Sequence, residues 1–381
     1  MAEILRRASS ERFRISGPER TLAWQLHLDL PLLLAIITTC AAGLAVLYSA
    51  SGEDSEALLR QAVRISAGLL GMFLLAQVPP RTYRYWAVPV FVGVLVSLVL
   101  VLLIGVEANG ARRWLAIPGV GRFQPSELMK LALPVMLAWY LSRGNLPPRL
   151  PQILVCLLLI GIPVMLIGVQ PDLGTAVLLG SAGVVVLFFA GLSWRIISLA
   201  GLGMMVAAPL MYLFVLEPYQ RRRVDTLFNP EADPLGAGWN IIQSKIAIGS
   251  GGLSGKGWLN GTQSRLDFLP ESSTDFILAV IGEEFGLLGI VALVAIYLFI
   301  VARGMHISWQ AGDSFGRLVG ISLSMVFLVY VVVNMAMVSG LLPVVGIPLP
   351  LISYGGTSII TLLAGFGVLM SIHTHKRLLQ T

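Results

Sequence analysis

The chain has 381 residues, of which 56% are hydrophobic and 12% charged, and a formal net charge of +6. Soluble domains carry about 25% charged residues, so this composition excludes a water-covered globular surface and makes the bilayer the natural solvent. The excess positive charge matches the Lys and Arg of cytoplasmic loops in a membrane protein; no nucleic-acid partner is expected.

In chain order, a polar, Arg-rich stretch runs to about Gln25 without an obvious cleavage site and reads as a cytoplasmic tail over residues 1–27. A spanning helix needs roughly 20 mostly apolar residues. On that basis ten spans are predicted at 28–50, 62–79, 85–106, 127–142, 152–169, 172–191, 194–216, 275–302, 315–338 and 350–372. The expected architecture is all-α: one integral, polytopic membrane domain over residues 1–381 with a large extracytoplasmic loop at 217–274. The fourth span is short and charged, which places it beside a cavity. Cys40 and Cys156 lie inside apolar runs and read as small hydrophobes. His27, His306, His373 and His375 fall near helix ends without a metal-ligand spacing.

Short loops set the orientation. Arg6, Arg7, Arg12, Arg14 and Arg20, then Arg81 and Arg84, Arg143 and Arg149, Arg195, Arg303 and Arg317, and finally Lys376 and Arg377 fall on one side of a ten-span chain. The positive-inside rule makes that side, with both termini, cytoplasmic. Basic residues nevertheless occur outside: Arg112, Arg113 and Arg122 in the short 107–126 loop, and Arg221, Arg222, Arg223, Lys245, Lys256 and Arg265 in the long one. Long loops translocate whatever their charge, whereas the short loop calls for an anionic ligand at the outer surface.

Ionisable groups inside spans are costly and usually functional. Glu127 and Lys130, three residues apart, share a helix face and can pair. Asp172 follows Gln170-Pro171 and fits a helix N-cap. Asp275 opens the eighth span, where Thr274 is an alternative cap that would free the aspartate. Glu283 lies eight residues on, on the same half of that helix, and Glu284 points away from it. The glycine-rich Gly249–Gly257 stretch is not a P-loop: its last position is glycine where Ser or Thr is required, and no strand precedes it. It reads as an adaptable loop over the outer face.

At these residues the chain resembles the SEDS family (shape, elongation, division and sporulation), nearer its RodA branch than its FtsW branch. The resemblance rests on Asn109-Gly110-Ala111-Arg112-Arg113-Trp114, Phe123-Gln124-Pro125-Ser126-Glu127, Gln170-Pro171-Asp172-Leu173-Gly174-Thr175, and Asp267-Phe268-Leu269-Pro270-Glu271 with Thr274-Asp275-Phe276-Ile277. The last stretch is Pro343 to Pro350 running on through Ser353-Tyr354-Gly355-Gly356-Thr357-Ser358. Together they cover about residues 28–372. The resemblance implies an inverting glycosyltransferase of the bacterial inner membrane that polymerises lipid II into glycan strands during elongation. Its implied partners are the growing strand, membrane lipids, a class B penicillin-binding protein and the elongation machinery. It gives Asp275 the catalytic role and marks Arg113, Trp114, Arg122, Glu127, Lys130, Asp172, Glu283 and Ser353 as cavity or support residues. Many relatives have His where this chain has Ser273, which removes a neighbour able to tune Asp275.

The implied reaction needs a base for a sugar hydroxyl, a role open to a carboxylate near the membrane surface. It also needs positive charge for a leaving pyrophosphate, from Arg113, Arg122 and Lys130 or from a divalent cation, Mg or Mn. No acidic cage for a metal stands out. The rival readings are a lipid II flippase, which requires polar groups through both leaflets, and a non-catalytic scaffold, which requires no polar cavity.

Overall fold

The structure, a computed structural model, describes residues 26–108, 111–117, 121–214, 216–232, 236–265 and 268–375. Ten apolar helices build the bundle: α1 (Leu30–Ala50), α2 (Ser55–Gln77), α3 (Pro80–Ile104), α4 (Pro125–Leu141), α5 (Leu150–Val169), α6 (Leu173–Phe189), α7 (Trp194–Phe214), and after the large loop α11 (Ile277–Trp309), α12 (Ser314–Val338) and α13 (Thr357–Thr374). The loop itself holds α8 (Pro218–Phe228), α9 (Ala237–Gly251) and the short α10 (Thr262–Arg265). Eight of the ten are long and apolar enough to cross a membrane. The other two, α4 and α6, have 17 residues each.

Element boundaries follow local chemistry. Asp29 caps α1 by accepting from the Leu32 amide at 3.0 Å, and Asp54 caps α2 through the Glu56 and Ala57 amides. The second cap explains why α2 begins at Ser55 rather than near 62: the helix starts on a polar turn that hydropathy ignores. Conversely, α13 begins at Thr357 rather than 350, because Pro348, Pro350 and the Gly355-Gly356 pair hold the preceding apolar run as a buried loop. The described residues of the 107–126 loop carry strands. These form a small antiparallel sheet of β1 (Val106–Ala108), β2 (Ala111–Ile117) and β3 (Gly121–Phe123), in that order.

The core has two main parts. One joins α1, α2, α11 and α13 with the buried loop at Leu349, Leu351 and Ile352. The other joins α3, α4, α5 and α6 with parts of α12 and α13. No described residue of the apolar window of α7 is buried, so that helix stands at the margin of the bundle. At one end, Arg303 at the far end of α11 grips Asp29 through two hydrogen bonds of 3.0 and 2.7 Å. His373 lies 3.3 Å from the same carboxylate, and His27 stacks on His375 with ring centroids 4.1 Å apart. The start of α1 and the ends of α11 and α13 therefore share one end of the bundle, and the large loop closes the other.

The glycine-rich stretch does more than cover a surface. α11 breaks at Gly286, whose φ of 64° and ψ of −159° are non-helical. Backbone groups freed by such a break must find partners away from lipid, and residues 252–257 supply them. Lys256 and Gly257 amides donate to the Glu283 and Glu284 carbonyls at 3.0 and 2.9 Å, while Leu287 and Leu288 amides donate to the Gly252 and Leu253 carbonyls at 2.9 and 3.1 Å. The two segments approach so closely that a Cβ at Gly255 would sit 2.0 Å from the Glu284 carbonyl oxygen. Only glycine allows this contact, which is why the stretch mimics a phosphate loop in composition without being one.

Candidate active site

Asp275 lies just before α11, not on it: the helix N-cap is Phe276, without a side-chain cap. The helical-face relation expected between Asp275 and Glu283 therefore does not hold. Thr274 does not cap either, because its hydroxyl bonds the Glu271 carboxylate at 2.5 Å. Asp275 is half-buried, and among the described residues no donor reaches its carboxylate. Burial, then repulsion from Glu271, pushes it up to about 6 against the opposing pull of Arg223. A carboxyl near 6 is a competent base at neutral pH.

The backbone around Asp275 is braced from three sides. Asn334, fully buried on α12, donates its amide to the carbonyls of Asp275 at 2.9 Å and Ile347 at 2.7 Å. Ser353 donates to the Thr274 carbonyl at 2.5 Å while accepting from the Leu349 amide at 2.7 Å. The Tyr354 amide donates to the Ser273 carbonyl at 2.9 Å. Gly346 has a φ of +73° and places its bare Cα beside the aspartate, where an added Cβ would meet Oδ2 at 3.5 Å. The loop 339–356 thus forms one wall of the site and holds the backbone that carries the aspartate. Of these residues only Ser353 was a sequence candidate. An asparagine alone in the apolar run of α12 was the signal for Asn334.

The other candidates form a second group. Glu127 and Lys130 pair at 2.6 Å with side-chain exposures of 9% and 10%, as their spacing predicts. Lys130 also lies 4.6 Å from the Tyr330 ring centroid, and Thr361 on α13 donates to Glu127 at 3.3 Å. These residues line a narrow cavity of about 30 Å³ with Phe327, Leu362 and Phe366. Asp172 is the N-cap of α6: it accepts from the Thr175 amide and from Gln124, each at 3.2 Å, with Arg113 at 3.8 Å. Arg113 further donates to the carbonyls of Gln170 and Pro171, which ties the β-sheet to the start of α6. Trp114 is half-buried on β2 opposite Val106, and Arg122 is exposed on β3.

Glu283 is a brace. One oxygen accepts from Lys256 at 2.6 Å and from the Thr262 amide and hydroxyl at 2.8 Å, and Gln263 reaches the other at 3.1 Å. Its side chain is 0% exposed, so it anchors the large loop to the break in α11 and has no free edge for a substrate. Glu284 accepts from Ser49 of α1. Among the described residues no group of three or more His, Cys, Asp or Glu is placed to hold a metal ion.

Comparison with known proteins agrees with this architecture. A family model described as cell cycle protein, for FtsW, RodA and SpoVE, matches residues 25–378. The chain belongs to the SEDS family. It is 48% identical over 365 residues to the peptidoglycan glycosyltransferase MrdB of Escherichia coli K12, covering 96% of this chain and 98% of that one. It is 38% identical over 366 residues to a probable peptidoglycan glycosyltransferase FtsW of Trichlorobacter lovleyi, with 92% and 94% covered. The crystal structure of Thermus thermophilus RodA superposes with a TM-score of 0.69 at 31% identity, covering 92% and 97%. A chain from a peptidoglycan synthase complex, studied for the structural coordination of polymerization and crosslinking, reaches 0.80 at 34% identity, covering 91% and 97%. The SEDS fold thus spans nearly the whole chain, including both groups of charged residues described above.

Proposed function

We propose that this SEDS protein is an inverting peptidoglycan glycosyltransferase that polymerises lipid II at the outer face of the bacterial cytoplasmic membrane, with Asp275 as general base. The observation that carries the reading is a half-buried carboxylate with no protein donor among the described residues, on a backbone braced by Asn334, Ser353 and Tyr354; burial and Glu271 push it up to about 6. A structural carboxylate is normally satisfied by donors, as Glu283 and Asp172 are. One left open at a rigid position is available for substrate.

In this reading the acceptor sugar hydroxyl gives its proton to Asp275 as its oxygen attacks the anomeric carbon of the donor. The diphosphate leaves on the opposite face, still attached to its lipid. The large loop is extracytoplasmic and both termini are cytoplasmic, as the positive-inside rule requires. Higher identity to MrdB than to the FtsW relatives supports a role in elongation. The SEDS-like chain of the peptidoglycan synthase complex supports a transpeptidase partner, a class B penicillin-binding protein.

The test is purified protein in detergent, with and without its co-purified transpeptidase, given lipid II and run on a gel that resolves glycan polymers. A ladder of products supports the reading. Lipid II scrambling in liposomes without polymer would replace it with a flippase.

A further inference from the structure

Arg64 is the tenth residue of α2, roughly 14 Å into the helix at about 1.5 Å per residue. Among the described residues it is the one arginine or lysine so far from both ends of an apolar helix that has no carboxylate. Arg60, one turn away, is paired with Glu56 at 2.8 Å and Asp54 at 3.6 Å. Lys130 has Glu127 and Arg303 has Asp29. Arg64 has Tyr354 instead: its guanidinium carbon lies 4.6 Å from the ring centroid, and its side chain also hydrogen-bonds that of the tyrosine. Its Nη1 is buried without a hydrogen-bond partner among the described residues. A buried, unpaired N–H on a guanidinium is expensive, and an ionisable group at this depth is usually functional.

The surroundings suit an anion. A Cβ on Gly356 would lie 3.8 Å from Arg64 Nε, and Gly356 is the N-cap of α13, with no side chain capping the helix. The first turn of this 18-residue helix therefore presents amide groups and a positive dipole end beside the guanidinium. The same loop is tied to the catalytic aspartate: Gln61, on α2 next to Arg64, donates to the Ser353 carbonyl at 3.2 Å, and Ser353 and Tyr354 hold residues 273 and 274. Of the alternative cations, Arg113 and Lys130 are engaged with other groups, the turn before α6 and Glu127, and Arg122 lies on the surface.

Resting on the polymerase reading above, we propose that Arg64 and the N-terminal turn of α13 bind the diphosphate of a polyprenyl-linked substrate. The planar guanidinium suits a bidentate phosphate contact, and Tyr354 stacks against its face and fixes its plane. Arg64 is a binding residue, separate from the base, and sets how firmly the diphosphate is held while Asp275 acts.

The probe is undecaprenyl diphosphate, whose equilibrium binding to the full-length protein in detergent is compared with that of undecaprenyl monophosphate. Arg64→Gln should weaken diphosphate binding about 10–100-fold, the loss expected for a charge-assisted bidentate contact. Arg64→Lys should fall between, and Asp275→Asn should bind like the native protein. In polymerisation assays Arg64→Gln should raise KM for lipid II more than it lowers kcat. Unchanged diphosphate affinity in Arg64→Gln would overturn the proposal, as would displacement of the diphosphate by equimolar phosphatidylglycerol, which would make the site a phospholipid site. Thermal unfolding and gel filtration check the fold; if Arg64→Gln is unfolded, Arg64→Lys and Thr357→Glu, which places an acid at the same helix end, must each weaken binding or the proposal fails. Arg64-dependent binding by a protein that makes no polymer would overturn the polymerase reading and leave the diphosphate site standing.

Discussion

The Glu127–Lys130 pair gives a quantitative test of what the buried charges do. Lys130→Met removes the ammonium and leaves Glu127, 9% exposed, with one remaining partner among the described residues, the Thr361 hydroxyl at 3.3 Å. Breaking a buried pair from one side costs about 3–5 kcal/mol; the lost contact with the Tyr330 ring adds about 0.5–2 kcal/mol. Glu127→Gln strands Lys130 in turn, with a cost in the same range. The double variant strands neither charge, and replacing a buried ion pair by neutral groups of similar size is commonly close to neutral in stability. The double variant should therefore lose under about 2 kcal/mol, far less than the sum of the singles, and the coupling should emerge from a double-mutant cycle. Equilibrium unfolding in mixed micelles, followed by tryptophan fluorescence, measures all four proteins. Losses that simply add would refute the claim that this pair is a closed structural unit. Polymerisation by the double variant, measured separately, then shows whether the pair has a role beyond packing.

Further expectations follow from individual contacts. Activity should fall as pH drops through about 6, because Asp275 is then protonated; the sign for stability is the reverse of a salt-bridged acid. With the folded value raised above the unfolded one of about 3.9, ionisation costs stability as pH rises from about 4 to 6, so Asp275→Asn should be at least as stable as the native protein at pH 7.5 and equal to it below pH 4. A pH series of unfolding midpoints checks this. Ser353→Ala deletes the hydroxyl that ties Thr274 to Leu349, and should lower kcat about tenfold, on the order of 1–2 kcal/mol for a lost buried hydrogen bond, with the fold intact by gel filtration. Gly255→Ala cannot coexist with a Glu284 carbonyl 2.0 Å from its Cβ, and should abolish folded protein on detergent extraction. Asn260→Cys in a background without Cys40 and Cys156 should be labelled by an impermeant maleimide from outside the cell; labelling only from the cytoplasmic side would contradict the topology.

Much of the architecture was legible because hydropathy and helix capping are local. Ten apolar runs gave ten helices, the Glu127–Lys130 spacing gave an ion pair, and Gln170-Pro171-Asp172 gave a capped helix start. Non-local features were hidden. Nothing nearby in sequence indicated that the glycines at 249–257 satisfy a helix broken at Gly286, or that Glu283 is consumed by Lys256 and Thr262 twenty or more residues away. The continuous apolar pattern concealed that break and made Asp275 look helical. Arg64 is inconspicuous in the sequence for a different reason: a single arginine barely lowers the hydropathy of an apolar run, and only the lack of a carboxylate around it makes it stand out. Asn334 and Tyr354 act through backbone carbonyls of a distant segment, a relation that residue type alone does not reveal.

The central claim is that Asp275 takes a proton in the bond-forming step. It is tested most directly by the rate of lipid II polymerisation by purified Asp275→Asn, which keeps the side chain's shape but cannot accept the proton. The account predicts a folded protein that retains polyprenyl diphosphate binding and polymerises about 10²–10⁴-fold more slowly, the usual contribution of a general base. A rate near that of the native protein, in detergent or in liposomes, would contradict it.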